Sequence, residues 1–256
     1  MTFDGTQKLI GRGAQAEVFL YHDYAYKVYV NSYPEEWIAF EKRQQVQVNK
    51  AGACPVKYYD TDDTHIIKMD LVKGEMLEER MLRLVGGADG ASGPLQIESN
   101  LSEIIASYGV LSRAFEFVHS KDIKDIEIPH FKDTASSNLT PDEANRVIPV
   151  VERLSSSMKN VICHLDLHFE NIMIPTPPEP FETSPYTIID WVDARIAPAV
   201  FDYARTYAIL EQAPEGVLEL YKKVVLPQIF CQGVSESDFS DALEVSRIIR
   251  SHEVKN

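Results

Sequence analysis

The chain contains 256 residues, of which 45% are hydrophobic, and it carries a formal net charge of −14 at pH 7. This length allows one large domain or two smaller lobes, and the composition is that of a globular chain rather than a disordered one. The negative charge argues against a nucleic-acid partner because phosphate backbones repel an acidic surface. It would suit a cationic small substrate, although many proteins are acidic for solubility alone.

Signals for membranes and secretion are absent from the sequence. No apolar run approaches the roughly 20 residues that span a bilayer, so we expect no membrane partner. Residues 1–13 contain no basic region followed by an apolar stretch and a cleavage site. Cys54, Cys163 and Cys231 are too widely spaced for a disulfide framework or a zinc site. Free thiols suit a reducing compartment, so we expect a cytoplasmic protein. Nothing in the sequence indicates an oligomeric state.

The first part of the chain predicts a hairpin and a helix. Residues 16–30 form two apolar, aromatic-rich runs around a His-Asp pair, which is typical of a hairpin. Residues 34–52 predict a helix, with Pro34 in its first turn and Gly52 as its end.

The next segment predicts further strands and a loop. Residues 55–72 predict two strands around the turn residues Asp60 to Asp63, and residues 73–84 indicate a connection that runs into a helix. Residues 84–100 are rich in glycine and serine and are the candidate for a mobile loop.

Beyond residue 100 the pattern is mostly helical. Candidate helices cover 101–120, 141–160, 214–230 and 237–253. In the first helix one apolar stripe contains Leu101, Ile104, Ile105, Tyr108, Leu111 and Phe115. Pro149 must kink or divide the second helix. Residues 186–196 predict a buried strand that ends on acids. We therefore expect an α+β chain with a small β-rich N-terminal lobe, residues 1–72, and a larger helical C-terminal lobe, residues 73–256.

A glycine-containing segment precedes the predicted hairpin. Gly11 and Gly13 lie just before the strand that begins near Ala16. Glycines let a backbone approach phosphate groups closely, but an ordinary hairpin turn explains the same pattern. The segment lacks the Gly-Lys-Ser/Thr ending of a P-loop, and it precedes a hairpin rather than a helix, which argues against a dinucleotide fingerprint.

Lys27 lies inside an apolar, aromatic strand. A lysine there faces a desolvation cost unless it meets an anion, and an outward-facing residue of an alternating strand is the other interpretation. The order of glycine loop, strand, lysine strand and acidic helix is typical of sites where a lysine contacts nucleotide phosphates and pairs with a helix glutamate. We select Glu41 as that partner, with Glu36 as its rival.

Residues 161–174 place a polar centre between two apolar flanks. His164, Asp166 and Asn171 follow a His-x-Asp-x4-Asn pattern. Such a loop places a carboxylate to accept or orient a substrate hydroxyl proton, and an amide oxygen to bind magnesium. A surface turn between two ordinary strands is the alternative interpretation.

Asp190 ends the next apolar strand and completes a possible metal site. A carboxylate there is costly to bury unless a metal ion or strong hydrogen bonds stabilise it. Mg²⁺ takes a few protein oxygens together with substrate phosphates, and Asn171 with Asp190 supplies that set. His164 and His168 are spaced for zinc only on a helix, whereas this stretch predicts strand, loop and strand.

These motifs together resemble a known family. The segments HLDLHFENIMI and TIIDWVDARIAPAVFDYAR resemble the aminoglycoside phosphotransferase family, with choline, homoserine and methylthioribose kinases as relatives. The resemblance extends from Gly11 to about Arg205 and implies a two-lobed protein-kinase-like fold. It also implies transfer of the γ-phosphoryl group of ATP, with Mg²⁺, to a hydroxyl of a small-molecule acceptor.

The resemblance implies roles for single residues. Asp166 is then the catalytic carboxylate, and the Mg²⁺ ligands are Asn171 and Asp190. The nucleotide-binding residues are Lys27 with its partner Glu41, the loop Gly11 to Ala16 with Gly13, and the backbone of Asp70 and Val72 in the hinge between the lobes. His164 and Asp202 shape the catalytic loop. The N-terminal lobe then binds the nucleotide, and the C-terminal lobe holds the catalytic and acceptor-binding groups.

The chain departs from the family pattern at three places, none of which removes a reacting group. Leu165 stands where the family often has glycine, Phe169-Glu170 replaces a proline or small residue, and Ala197-Pro198-Ala199 replaces a Gly-Asp-Pro. These differences weaken any inference about a named substrate. The acceptor stays open among aminoglycosides, choline- or ethanolamine-like amines, amino-acid hydroxyls such as that of homoserine, and sugars.

Two rival functions fit the sequence less well. A protein kinase would carry Asp-Phe-Gly at the metal site, an arginine before the catalytic aspartate, and a long activation segment, all of which this chain lacks. A non-catalytic nucleotide-binding module need not keep Lys27, Asp166, Asn171 and Asp190 together.

Several acids have less specific patterns. We expect Asp193 to be a solvated loop acid rather than a metal or substrate contact. Glu236, Asp238, Asp241 and Glu244 could attract an ammonium group, but an acidic helix start is favoured by the helix dipole anyway.

Overall fold

The computed structural model describes residues 3–86, 94–176, 179–181, 183–214 and 216–253. Its N-terminal lobe is an antiparallel sheet with strand order β1-β2-β3-β5-β4. The strands are β1 Lys8–Arg12, β2 Ala16–Tyr21, β3 Tyr24–Tyr29, β4 Tyr58–Tyr59 and β5 Ile66–Asp70. Helix α1, Glu35–Lys50, lies between β3 and β4 in the chain.

The predicted hairpin and first helix are confirmed. Strands β2 and β3 pair from Ala16↔Tyr29 to Tyr21↔Tyr24. The two turn residues between them have positive φ angles of 46° and 64°, as a two-residue hairpin turn requires. Helix α1 starts directly after Pro34 and ends before Gly52, whose φ of 66° suits glycine.

The glycine segment differs from the expected loop. Gly11 lies inside β1, opposite Val18, next to an irregularity in the register. Only residues 13–15 lie between the two strands, and Gly13 N–H donates to the Ala16 carbonyl at 2.8 Å. The turn is therefore shorter than Gly11 to Ala16, because pairing with β2 extends β1 through Arg12.

The C-terminal lobe is mostly helical. Its helices are α2 Leu77–Gly86, α3 Pro94–His119, α4 Phe131–Thr134, α5 Pro141–Ser157, α6 Ala199–Leu210, α7 Val217–Leu220, α8 Leu226–Cys231 and α9 Glu236–Glu253. Its short strands are β6 Glu75–Met76, β7 Asn160–Cys163, β8 Ile172–Ile174, β9 Thr187–Ile188 and β10 Arg195–Pro198. They form a β7–β10 pair and a sheet of order β6-β8-β9. A β-sheet lobe joined to a helical lobe confirms the predicted two-lobed α+β class.

Some local predictions for this lobe are wrong. Helices α2 and α3 cover 84–86 and 94–100 of the expected loop, and its residues 87–93 lie outside the described part of the chain. Helix α5 is assigned without a break through Pro149. The buried strand predicted over 186–196 is instead two short strands, because Asp190 between them has a φ of 60° and turns the chain.

The two lobes differ in their cores. The larger cluster centres on the C-terminal lobe and includes Tyr108, Phe115 and Trp191, all fully buried. On α3 the apolar stripe is narrower than predicted, because Leu101 and Ile105 are exposed. A separate small cluster in the N-terminal lobe consists of Ala16, Tyr29, Ile38 and Ile67.

Cys54, Cys163 and Cys231 are free, as predicted. Within the described ranges, no helix combines the length and apolar character needed to cross a membrane.

Candidate active site

A cavity between the lobes contains several of the predicted nucleotide contacts. Its lining includes Gly11, Lys27, Asp70, Val72 and Asp190. The remaining wall is largely apolar and consists of Ile10, Val18, Ala25, Cys54, Val56, Tyr58, Met69, Leu71, Met76, Met173 and Ile189, with Gln45. Ala16 is buried in the small core of the N-terminal lobe, and Gly13 lies in the adjoining turn. The sheet, the hinge segment and the residues around Asp190 thus enclose one apolar cleft with charged groups at one end.

Asp70, in the predicted hinge, already has hydrogen-bond partners for its backbone N–H and for its carboxylate. Its backbone N–H donates to the Lys57 carbonyl at 3.0 Å. Its carboxylate accepts from Lys57 N–H at 3.0 Å and from the Tyr59 hydroxyl at 2.8 Å. These bonds hold the β4–β5 edge, so a ligand in the cavity would not reach the Asp70 amide.

The charged end of the cavity is organised around Lys27. Its Nζ donates to Glu41 Oε1 at 2.9 Å and Oε2 at 3.1 Å, and it lies 3.5 Å from Asp190 Oδ1. Burial alone would lower the pKa of Lys27, but the charges of Asp190 and Glu41 outweigh it and raise that pKa well above its usual value. Lys27 is therefore a permanent cation between two carboxylates. Glu36, the rival partner, is exposed.

Glu41 has further support. The hydroxyl of Tyr29 donates to its Oε2, and that of Tyr58 donates to its Oε1 at 3.3 Å. Burial first, and the nearby Glu41 charge second, raise the pKa of Tyr58 well above its usual value, so this hydroxyl stays a donor. A carboxylate that is only 4% exposed is stabilised by these partners.

Residues 164–171, the predicted catalytic loop, directly follow β7 and are held by hydrogen bonds to helix α6. Asp202 on α6 accepts the backbone N–H of Leu165 at 2.7 Å and that of His164 at 3.1 Å. His119 Nε2 contacts the same carboxylate at 2.8 Å. Leu165 has a φ of 61°, a left-handed conformation that glycine adopts without strain and leucine does not. The family's frequent glycine at this position thus has a physical reason, and here the Asp202 bond supports the strained residue.

His164 is held as a neutral ring. Burial lowers its pKa, with the charge of Asp202 the largest opposing effect. Its Nδ1 accepts from Asp166 N–H at 3.3 Å, which leaves Nε2 to donate to the Ile189 carbonyl at 3.0 Å. Both bonds are to backbone, so the ring links the catalytic loop to the segment before Asp190.

Asp166 lies between Asn171 and His168. Asn171 Nδ2 donates to Asp166 Oδ2 at 2.9 Å and to its carbonyl at 2.7 Å, and His168 Nε2 is 3.5 Å from Oδ2. Burial would raise the pKa of Asp166, but hydrogen bonding and charge from His168 outweigh it and hold the pKa below its usual value. The pKa of His168 is raised because its contacts with Asp166 outweigh burial. Asp166 is thus an ionised carboxylate at neutral pH.

The donor set fits a magnesium ion. Asp190 Oδ1 is a buried oxygen with no hydrogen bond, although its side chain as a whole is 42% exposed. Asn171 turns its NH₂ group to Asp166, which leaves its amide oxygen for another partner. Asp190 lines the cavity between the lobes, and Asn171 lies next to it, because the Asn171 carbonyl accepts Ile189 N–H at 3.0 Å. Mg²⁺ takes such protein oxygens together with substrate phosphates.

A second cavity of about 530 Å³ includes Leu165 in its lining. We call it the α1–α9 cavity because residues of α1 and α9 line it, together with residues of the segment 129–139. Leu165, Asp193, Arg195 and Arg205 complete its lining. Asp193 is not the solvated loop acid expected from the sequence: it is partly buried, and burial raises its pKa to about 6.

Sequence reasoning also missed Arg205. It is 4% exposed, and its Nε donates to the Leu165 carbonyl at 3.0 Å. Its Nη2 donates to Glu253 at 2.9 and 3.1 Å. The sequence contained one signal for Arg205: it lies three residues after Asp202 on a predicted helical segment, so the two side chains share a helix face.

The predicted acidic cluster of α9, Glu236, Asp238, Asp241 and Glu244, lines neither cavity. Arg153 donates to Asp238 at 2.7 Å and to Asp241 at 2.6 Å, and Arg146 donates to Glu244 at 2.6 Å. These acids therefore join α9 to α5.

A protein-family model matches part of this chain. Residues 121–224, which contain the catalytic loop, Asp190 and Arg205, match the model of the phosphotransferase enzyme family, APH. The predicted resemblance to the aminoglycoside phosphotransferase and choline kinase-like family is confirmed by this match, which covers less than half of the chain. No curated protein sequence matches the chain.

Solved structures agree with the two-lobed kinase-like fold. An aminoglycoside-3′-phosphotransferase of type VIII is 13% identical over 94% of this chain and 93% of its own, with a TM-score of 0.59. A thermostable mutant of aminoglycoside phosphotransferase APH(4)-Ia is 11% identical over 98% and 89%, also with 0.59. The ethanolamine kinase of Plasmodium vivax is 14% identical over 95% and 73%, with 0.51. At such identities the likeness establishes the fold alone.

Proposed function

We propose that the protein is an ATP- and Mg²⁺-dependent phosphotransferase that moves the γ-phosphoryl group to a hydroxyl of a small molecule. One observation carries this proposal: Lys27, the hinge segment and Asp190 line a single cavity. The match to the phosphotransferase family model and the kinase-like fold support it. Among similar structures, a mutant of APH(4)-Ia was solved with AMP-PNP and hygromycin B, and an amicoumacin kinase with AMP-PNP and Ca²⁺.

The nucleotide would occupy the cleft between the lobes. In this proposal residues 1–72 form the nucleotide-binding lobe and residues 73–256 the catalytic and acceptor-binding lobe. The apolar wall would hold the adenine, with backbone groups of Asp70 and Val72 beside it and Gly11 above the phosphates. Lys27, held by Glu41, would contact the phosphates.

Asn171 and Asp190 would hold Mg²⁺. The ion would neutralise charge on the transferring phosphoryl group when bound. Lys27 lies 3.5 Å from Asp190 Oδ1. When a nucleotide binds, its phosphates would replace Asp190 as a contact of Lys27, so that the lysine keeps an anion beside it.

Asp166 would act on the acceptor. Its lowered pKa keeps it ionised near neutrality, so its oxygen can accept a hydrogen bond from the acceptor hydroxyl and orient it toward the phosphorus. Asn171 and the backbone bonds of the catalytic loop fix the carboxylate for this role. Most of the rate would come from positioning and charge neutralisation, as is general for phosphoryl transfer.

The α1–α9 cavity would take the acceptor. Leu165, which precedes Asp166, is part of its wall, and the charges of Asp193 and Arg205 act on Asp166. Aminoglycoside, choline or ethanolamine, homoserine and sugar kinases are the alternative activities within the same class. A non-catalytic nucleotide-binding module is the alternative outside it.

The test is ATP consumption by the purified full-length chain with a panel of hydroxylated amines, amino acids, sugars and antibiotics, followed by mass spectrometry of the product. Turnover with at least one acceptor is expected. Asp166→Asn should reduce that turnover by about 10²–10⁴-fold and leave AMP-PNP binding unchanged. Glu244→Gln, which changes an acid of the α5–α9 contact, is the matched control. Asp166→Asn turning over at the wild-type rate would reject the assignment of Asp166.

A further inference from the structure

The buried guanidinium of Arg205 has one nitrogen without a partner. Its Nε and Nη2 are used by the Leu165 carbonyl and Glu253, whereas Nη1 forms no hydrogen bond within the described structure. Arginine carries two N–H groups on this nitrogen, and a buried unsatisfied donor of a charged group is costly. Since Arg205 lines the α1–α9 cavity, an oxygen atom of an occupant can supply the missing acceptor.

The carboxylate of Asp193 lines the same cavity and is also poorly compensated. No cationic nitrogen lies within the 4 Å of an ion pair from it in the parts of the chain that the structure describes. Burial is the largest cause of its raised pKa, and the charges of Arg205 and Arg195 oppose this only in part. An occupant with a cationic nitrogen would supply what Asp193 lacks.

These two groups lie near each other without being paired. Both line the α1–α9 cavity, each is among the charges that shift the pKa of the other, and no ion pair joins them in the described part of the chain. The neighbouring cation Arg195 donates from Nε and Nη1 to Thr134 and to the carbonyls of Val192 and Ala194. Glu36 and Arg43 of the same wall are exposed to solvent, whereas Arg205 Nη1 and Asp193 are withdrawn from it without a partner.

We propose that the phosphoryl acceptor is a hydroxylated zwitterion whose carboxylate binds Arg205 Nη1 and whose ammonium group binds Asp193. Hydroxylated amino acids are the chemical class that fits. The inference rests on the proposed function, because it assigns the acceptor of that site. The third group of such a molecule, its hydroxyl, would then face Asp166, which follows the wall residue Leu165 in the chain.

Occupants with one charge match the cavity less well. A simple amine would satisfy Asp193 but leave Arg205 Nη1 unpaired, with Arg43 and Arg195 also on the cavity wall. A hydroxy acid would satisfy Arg205 but bring its charge close to Asp193 and Asp166. A zwitterion meets both requirements and adds no net charge to the site.

The test uses matched probes that differ by one charged group. L-serine is compared with ethanolamine, which lacks the carboxylate, and with 3-hydroxypropanoate, which lacks the ammonium group. L-homoserine, 3-aminopropan-1-ol and 4-hydroxybutanoate repeat the set with one more methylene. Affinities are measured by isothermal titration with the full chain in the presence of AMP-PNP and Mg²⁺. One of the two zwitterions should bind at least about tenfold tighter than both of its truncated analogues.

Two variants test which side chain binds the carboxylate and which binds the ammonium group of the acceptor. Arg205→Lys keeps a cation but removes Nη1, so the preference for the zwitterion over the amine should fall toward onefold. Asp193→Asn should remove the preference over the hydroxy acid. The Asp193 side chain makes no hydrogen bond to other described residues, so this variant can be used if Arg205→Lys does not fold. Arg247→Lys on α9 is the control, since it pairs with Glu211 away from the cavity and should keep both preferences.

The outcomes separate this inference from the proposed function. An amine that binds as tightly as its zwitterion, or six probes that all fail to bind, overturns the inference. Phosphorylation of a cationic or neutral acceptor with the zwitterions inert overturns it as well, while the proposed function stands. Failure of AMP-PNP to bind at all, with no ATP turnover on any acceptor, rejects the proposed function itself.

Discussion

Two buried carboxylates, one in each lobe, are stabilised in different ways. Glu41 in the N-terminal lobe accepts only from side chains, those of Lys27, Tyr29 and Tyr58. Asp202 in the C-terminal lobe accepts from the backbone of His164 and Leu165 and from one ring, that of His119. Side-chain partners can rotate toward a ligand, whereas backbone donors move only if the loop moves. The first arrangement suits a charge shared with a substrate, and the second fixes a loop.

The largest expected effect follows from replacing the carboxylate that holds the backbone. Asp202→Ala should lower the free energy of unfolding by about 3–5 kcal/mol, because two backbone donors lose their acceptor in a fully buried site. Chemical denaturation monitored by tryptophan fluorescence measures this. Asp202→Asn keeps the volume and one acceptor oxygen, so its loss should be smaller. A loss below about 1 kcal/mol for the alanine variant would contradict the structural role of Asp202.

Glu41 should matter less for stability and more for the nucleotide. Glu41→Gln should cost about 2 kcal/mol, because Lys27 loses one ionic partner but keeps Asp190. AMP-PNP binding should weaken about tenfold, since Lys27 then closes onto Asp190 and is less available to phosphates. Titration calorimetry measures the second effect. Glu36→Gln on the same helix is the control, because Glu36 is exposed; equal effects of the two variants would remove the distinction.

Asp193 is the opposite case, a partly buried carboxylate without such partners. Its folded pKa of about 6 lies above the ordinary value of 3.8, so the unfolded chain ionises first as the pH rises. Stability is therefore lost between about pH 4 and pH 6 and stays lower above that range. Asp193→Asn, which cannot ionise, should be more stable than the wild type by about 1–2 kcal/mol at pH 7, with no difference near pH 4. Denaturation curves at several pH values provide the check, and a constant difference across this range would be incompatible with the assignment.

The smallest effect concerns a neutral partner of Glu41. Tyr29→Phe removes one hydroxyl donor but leaves Lys27 and Tyr58 in place, so the expected loss is about 0.5–1.5 kcal/mol. Thermal and chemical denaturation both measure it. Tyr33→Phe is the matched control, because its ring stacks on Tyr29 but its hydroxyl makes no hydrogen bond within the described ranges. A Tyr29 variant as stable as the Tyr33 variant would show that the hydroxyl of Tyr29 contributes nothing to holding Glu41.

Local patterns predicted much of the fold because their causes are local. The β2–β3 hairpin follows from two apolar runs around a two-residue turn, and α1 follows from Pro34 and Gly52 at its ends. The single strand predicted over 186–196 is divided, because a positive φ at Asp190 is not visible in a hydrophobic pattern. Pro149 does not divide α5, because the buried residues Val147, Val151 and Leu154 stabilise the helix around it.

The candidate site likewise has residues that the sequence predicted and features that only the structure shows. The motif residues Lys27, Asp166, Asn171 and Asp190 were found from their spacing, because phosphoryl transfer requires fixed residue types in a fixed order. The choice of Glu41 over Glu36 depends on which face of α1 is turned inward, and only packing against the sheet settles that orientation. The strain at Leu165 is likewise visible only once its backbone is known.

By itself, the sequence determined the order of the chemical groups, the lobe types and the resemblance to the phosphotransferase family, since these depend on residue identity and short-range periodicity. Only the tertiary structure decided which charges meet. Arg205 meets Glu253 across 48 positions of the chain, and Asp193 is partly buried in the cavity that these two residues also line. The physical reason is that burial and Coulomb interactions depend on distance in space, which the sequence separation of these residues does not encode.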